Sequence, residues 1–151
     1  MTPALLGNLG VSLALAFSLL AYLQGDGRFL RGARALVFPA FLAALAAFLA
    51  LEWALLVHDF SLAYVARNHS TKDPLWVTLV TPWAALEGSI LLWGLLQTLY
   101  TLLASRKPLD PWRASLVLAV LFGIQVFFFG VMATIAGPFE TLPDPPPDGV
   151  G

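Results

Sequence analysis

The 151-residue sequence contains no cysteine, which excludes disulfides, CxxC redox chemistry and thiolate metal sites together. Charge is nearly as scarce: Asp, Glu, Lys and Arg make up 11% of the chain and sum to −1. No basic face exists to neutralise phosphates, so nucleic acid is excluded as a partner. Histidine occurs twice, as His58 and His69, with no further ligand at metal-site spacing. Phosphate-binding loops, serine triads and HExxH patterns are also missing. No Lys or Arg precedes the first apolar run, so it reads as a retained helix and not as a secretory leader.

What fills the chain instead is apolar sequence, at 59% hydrophobic residues and a mean hydropathy of +0.82. A soluble domain of this size could not hide so much apolar surface. Four runs, at about 3–23, 35–57, 83–103 and 114–136, each supply roughly the 20 residues a helix needs to cross a bilayer. The expected fold is an all-α integral membrane protein with four transmembrane helices, and membrane is its first partner. Six Lys and Arg fall after the first and third runs (Arg28, Arg31, Arg34, Arg106, Lys107, Arg113), against Arg67 and Lys72 after the second. Positive residues stay inside, so both termini are expected outside, with an external interfacial segment at 58–81. Trp76 and Trp83 belong to the outer aromatic belt and Trp112 to the inner one. The Pro-rich, acidic TLPDPPPDGVG reads as part of an external linker over 137–151.

Small residues at three- and four-residue spacing form a stripe on the first helix (Gly7, Gly10, Ala14, Ser18, Ala21), where another helix can approach closely. A comparable stripe, Ala119, Gly123, Val126, Gly130, Ala133 and Gly137, suggests the same role for the fourth. The third helix carries Glu87, Gly94, Gln97 and Thr101 on one side, a polar face that should meet protein or a wet cavity. Glu52 and Glu87 are the intramembrane acids, both within roughly 10 Å of the outer surface at 1.5 Å rise per residue. They read as a proton-accepting pair or a negative lining near an externally open site, or else each snorkels or is protonated and hydrogen-bonded to a neighbour such as Arg67 or Ser89. His58 and His69 are expected in an exposed loop and not as metal or haem ligands.

Three stretches, VHDFSLAYVARNHS, TPWAALEGSILLW and GPFETLPDPPP, resemble the CcmF family of bacterial cytochrome c maturation. The residues that carry the resemblance are Asp59, Phe60, Ser61, Tyr64, Val65 and Ala66; Trp83, Glu87, Gly88, Ser89, Leu91, Leu92 and Trp93; and Pro138, Phe139 and Glu140. Leu86 departs from it, since many relatives carry histidine there. The resemblance implies the first part of a larger polytopic bundle in the bacterial inner membrane. It implies a haem lyase that joins haem to apocytochrome c on the periplasmic side, with a haem chaperone and other maturation subunits as partners. It also implies that the family's haem ligands lie beyond these residues, so no catalytic residue and no metal ligand is assigned here. Glu87, Trp83, Gly88, Ser89, Trp93 and Glu52 remain as candidates for a haem rim or proton exchange. A proton-relaying transporter or respiratory subunit, and a non-catalytic assembly scaffold, are the competing readings.

Overall fold

The computed structural model of the chain describes residues 2–23 and 29–150, so Arg28 of the first basic turn lies outside the described residues. Six helices follow one another: α1 (Pro3–Leu23), α2 (Phe29–Leu56), α3 (Ala63–Asn68), α4 (Leu75–Ala84), α5 (Leu86–Ser105) and α6 (Pro111–Thr134). The spans long and apolar enough to cross a membrane are Pro3–Leu23, Arg31–Leu56, Leu86–Ser105 and Pro111–Thr134. The all-helical, four-span membrane fold read from the sequence is therefore present. Among the described residues, pairing outside helices reduces to one antiparallel bridge, Leu62 with Thr141.

The four long helices form a closed ring in which α1 packs on α2 and α6, and α5 packs on α2 and α6. Lipid tails are as apolar as leucine, so close packing and buried hydrogen bonds must hold such a ring together. The α1 stripe supplies the packing. Gly7, Gly10, Ala14, Ser18 and Ala21 are all buried, and a Cβ on Gly10 would lie 2.8 Å from the Ala43 carbonyl oxygen and 2.9 Å from Ala47 Cβ. On the other side of that contact, α2 buries Ala40, Ala43, Ala44, Ala47, Ala50 and Ala54. Hydrogen bonding comes from Gln125. Its Oε1 accepts from Ser18 Oγ at 2.9 Å and its Nε2 donates to Thr101 Oγ1 at 2.6 Å, so one fully buried amide ties α1, α6 and α5.

Helix α6 uses its small stripe only in part, where Gly123 meets Tyr22 and Ala119 packs on the core, and none of the stripe within the helix is fully buried. The residues it buries are Ala114, Leu118, Phe122, Gln125, Phe129 and Met132, whereas Gly130 has nothing within 4 Å of where a Cβ would stand. The reason is complementarity: α5 already supplies the small residue, and Phe129 Cε1 would lie 3.1 Å from a Cβ on Gly94. One small side chain per contact suffices for close approach. The polar face of α5 is likewise shifted, since Thr98 and Thr101 are buried while Gln97 is only half-buried and reaches the Leu121 carbonyl at 3.4 Å.

Helix boundaries differ from the apolar runs in two places. Helix α2 begins at Phe29, earlier than residue 35, because FLRGAR continues the helix despite its arginines. Trp83 belongs to α4 and not to the following span, because the chain breaks at Ala85.

One end of the ring is closed by a cap of residues 57–85 and 137–150. Five consecutive residues of it, Leu62 to Ala66, are buried. Residues 62–66 are thus folded into the protein, whereas Leu75, Trp76, Leu79 and Val80 of α4 keep their apolar side chains exposed. Only Ala63–Asn68 of the HDFSLAYVARN stretch is helical, because Asp59 Oδ1 accepts from both the N–H and the hydroxyl of Ser61 and forms a turn. The Pro-rich tail, expected to be a linker, folds back over it. Ala63 N–H donates to Glu140 O, Leu142 N–H to Ser61 O and Val150 N–H to Ala66 O, at 2.8–3.0 Å. Its Phe139 is buried in the space that Gly7 leaves.

Candidate functional site

The TPWAALEGS stretch spans the break between α4 and α5. In an unbroken helix the Ala85 N–H would bond the Thr81 carbonyl, and the Glu87 N–H that of Trp83. Ala85 is extended (φ −124°, ψ 160°), which ends that series and leaves carbonyls in need of donors. Two side chains supply them. Tyr64 Oη donates to Thr81 O at 2.8 Å, and Ser89 Oγ lies 2.9 Å from Trp83 O and 2.8 Å from Ala85 O. Gly88 stands where a Cβ would run into Tyr64 Oη and the Pro82 carbonyl. Gly88 and Ser89 therefore shape the break, and the break directs Glu87.

Glu87, in the first turn of α5, lines an open cavity of about 620 Å³ together with Asn8, Ser12, Arg67, Met132 and Glu140. The cavity lies between α1, the end of α6 and the tail. Arg67 reaches it from α3. Among the described residues the ion pairs are His69 with Asp73 and Arg113 with Asp110, so Arg67 shares the cavity with Glu87 and Glu140 without pairing to either. The alternative in which Glu52 or Glu87 is held by Arg67 or Ser89 finds no such contact among the described residues, and Ser89 is engaged with backbone carbonyls. Glu52 Oε2 is buried with no hydrogen-bond partner.

Tyr64 stands behind the break, with its hydroxyl against Thr81 O and the space at Gly88. Its phenol is pushed far above the usual range by burial first and then by the charges of Glu87 and Glu52. Two carboxylates thus act on one un-ionised phenol whose proton is committed to Thr81 O. With the free guanidinium of Arg67, the group can exchange protons or bind a polar ligand; it holds no nucleophile with an adjacent base. The remaining candidates lie apart. Trp83 is 75% exposed on α4 and Trp93 59% exposed on α5, so neither enters the cavity.

Arg67, Asn8, Glu140 and the pivotal Tyr64 were not singled out as site residues from the sequence. Tyr64 and Glu140 had a signal, since both stand in the stretches that carry the family resemblance. Asn8 had a weaker one, as a lone amide in an apolar helix; Arg67 was considered only as a possible neighbour of the two acids, because a single arginine in a loop looks like any solvated charge.

His58 and His69 come together, although the sequence reading leaves them as loop residues. His58 Nδ1 lies 2.8 Å from His69 Nε2, with the rings within 4° of parallel. His69 is fully buried and not exposed, because α3 folds against the bundle and carries it inward. His58 ends α2 in a Schellman arrangement, with its N–H on Leu55 O at 3.2 Å and that of Asp59 on Ala54 O at 2.9 Å. Its φ of 55° is the left-handed conformation that glycine usually occupies there.

No family model matches the chain. The cytochrome c-type biogenesis protein CcmF of Escherichia coli strain K12 is 35% identical over 147 residues, covering 93% of this chain and 22% of the relative. The protein of the same name from Haemophilus influenzae is 31% identical over 154 residues, covering 95% and 24%. A solved structure, Cytochrome c Heme Lyase CcmF, is 94% identical, superposes with a TM-score of 0.88, and is matched over 94% of this chain and 25% of its own. The chain spans about a quarter of the length of these proteins. The stretches around Tyr64, the α4–α5 break and the tail at Phe139, which the resemblance rested on, are the ones that build the cap, and the chain belongs to the CcmF family of cytochrome c-type biogenesis proteins.

Proposed function

We propose that this chain forms the membrane anchor and outer rim of a cytochrome c haem lyase in the bacterial inner membrane. Haem is the substrate, and the complete protein promotes addition of the thiols of apocytochrome c across the haem vinyl groups. Each addition forms one C–S bond as the thiol hydrogen passes to the vinyl carbon, so no oxidant is needed. The observation that carries the reading is the relation to Cytochrome c Heme Lyase CcmF at 94% identity. The cap and its polar cavity then belong to the surface where haem and apocytochrome are received from a haem chaperone and partner subunits. What this part contributes is orientation of the reactants, while the bond formation draws on the reactivity of haem itself.

His58 and His69 cannot hold one haem between them, because rings joined edge to edge leave no room there for a haem plane. No step is therefore routed through haem iron here. The cap faces the periplasm in this reading, in keeping with the six basic residues after the first and third spans. Cysteines introduced singly at Pro145 and Pro108, in a complete protein freed of other cysteines, distinguish the two orientations. An impermeant thiol reagent on intact cells should label the first and spare the second.

The lyase role is tested by haem-stained gels of a strain lacking the complete protein. All c-type bands should vanish while b-type cytochromes assemble, and residues 1–151 alone should not restore them. Persisting c-type bands would exclude the role. Within the site, Glu87→Gln should lower attachment more than Glu52→Gln, since only Glu87 lines the cavity with Arg67.

A further inference from the structure

The histidine pair is unusually complete for two residues outside the cavity. A ring-centre separation of 4.9 Å with an N···N distance of 2.8 Å and planes within 4° describes rings meeting edge to edge through an N–H···N bond, not rings piled face to face. That arrangement is a hydrogen bond, and with the two nitrogens pointing at each other neither lone pair is aimed at a shared metal ion. Among the described residues no group of three His, Cys, Asp or Glu assembles to hold one either. Beyond the pair, His69 Nδ1 lies 3.1 Å from Asp73 Oδ2, out of line for a good hydrogen bond, and Asp73 Oδ2 accepts from Ser70 N–H at 2.8 Å. His58 is exposed, whereas His69 is fully buried. His58 also holds its left-handed backbone where glycine would be unstrained, so its side chain is kept there against a local conformational cost.

The tail is fastened to the same place. Asp148 accepts from the Thr71 N–H and hydroxyl, each at 2.9 Å, and from Ser70 Oγ, while a Cβ on Gly149 would collide with the His69 carbonyl. A few residues earlier, Glu140 and Thr141 of that tail form one wall of the cavity.

We propose that His58, His69 and Asp73 form a pH-sensitive latch that holds the cap and tail closed while the pair shares a single N–H···N bond and releases them on acidification. One proton taken up by the exposed His58 leaves the bond in place, since an imidazolium can still donate to a neutral ring. A second, on His69 Nε2, removes the acceptor and sets two cations edge to edge. The charged groups facing His69 are His58 at the end of α2, Asp73 after α3 and Asp148 in the tail. Burial and then His58 push its imidazole below the ordinary 6.5, and the two aspartates oppose them without reversing the direction. The closed state therefore binds fewer protons than the open one. Its stability is complete above about 6.5 and is lost as the pH falls below that value. Release of the tail would also withdraw a wall of the cavity, which links acidity to the shape of the site.

Hydrogen exchange followed by mass spectrometry on the complete protein in nanodiscs tests this at pH 8 and pH 5, each normalised to the intrinsic rate. Peptides covering residues 60–73 and 138–150 should exchange more than about twofold faster at pH 5, because the open state takes up the proton that the closed state disfavours. Peptides from the middle of α2 should not change. His69→Gln should remove the acid response. If that variant exchanges fast at both pH values because the cap no longer forms, His58→Gly decides, since it relieves the backbone strain and removes the opposing cation. The acid response of His58→Gly should be smaller than that of the wild type, because the opposing cation is gone while burial still disfavours a proton on His69. Protection in the wild type that differs by less than twofold, or an acid response in His58→Gly as large as that of the wild type, would overturn the proposal.

Discussion

The membrane ring and the cap are held by different means within one chain. In the ring, small side chains set the approach, against alanines between α1 and α2 and against Phe129 between α5 and α6, and the hydrogen bonding between helices centres on Gln125. In the cap, nearly every turn has its own named partner: Tyr64 donates to Thr81 O and Ser89 to Trp83 O, while Asp59 accepts from Ser61 and Asp148 from Thr71. The difference follows from the backbone. A continuous helix satisfies its own peptide groups, so its sequence is free to be simple; broken helices and turns cannot, and each orphaned group demands a specific partner. The ring should therefore tolerate change where the cap does not.

Paired substitutions in the complete protein put that contrast to the test. The largest effect is expected at Gly88→Ala, which forces a methyl group into Tyr64 Oη and the Pro82 carbonyl. Thermal unfolding in detergent should show a loss of about 3 kcal/mol, the upper part of the range for overpacking. Next comes Tyr64→Phe, which keeps the ring but leaves Thr81 O without its donor. Its cost should be about 2 kcal/mol, as for other buried acceptors left unpaired, read as a lower unfolding midpoint. Gln125→Leu removes the amide that joins α1, α5 and α6, yet should cost only about 1 kcal/mol, because hydrogen bonds between membrane helices are individually weak. Smallest of all is Gly130→Ala, whose added methyl meets nothing within 4 Å. It should change stability by less than about 0.5 kcal/mol. Reversal of either order, with Gln125→Leu exceeding Tyr64→Phe or Gly130→Ala matching Gly88→Ala, would show that the ring and not the cap carries the specific contacts.

The small stripes show how far sequence reading reaches. On α1 the spacing of Gly7, Gly10, Ala14, Ser18 and Ala21 identified the buried face, whereas the similar stripe on α6 did not. Periodicity says that a helix has a small face, but whether that face is used depends on what the neighbour offers. Gly94 on α5 already provides the recess that Phe129 fills. At the candidate site, Glu87, Gly88 and Ser89 were legible as a group, though their division of labour was not. Nothing in the order of residues says that Gly88 must admit the hydroxyl of Tyr64, 24 positions earlier. Trp83 and Trp93, conspicuous in the sequence, turn outward.

Composition and spacing alone determined that this is a four-span membrane protein, because burying a peptide backbone in hydrocarbon leaves long apolar helices as the solution for such runs. They also determined where the acids stand along those helices, and the motif order that marks the family. Only the tertiary structure decided that the Pro-rich tail returns to seal the cap, that Arg67 enters the cavity unpaired, and that His58 and His69 meet edge to edge. Those contacts join residues far apart in the chain through single hydrogen bonds and turns. No periodic pattern encodes them, so they become visible only once the backbone has placed the partners within reach.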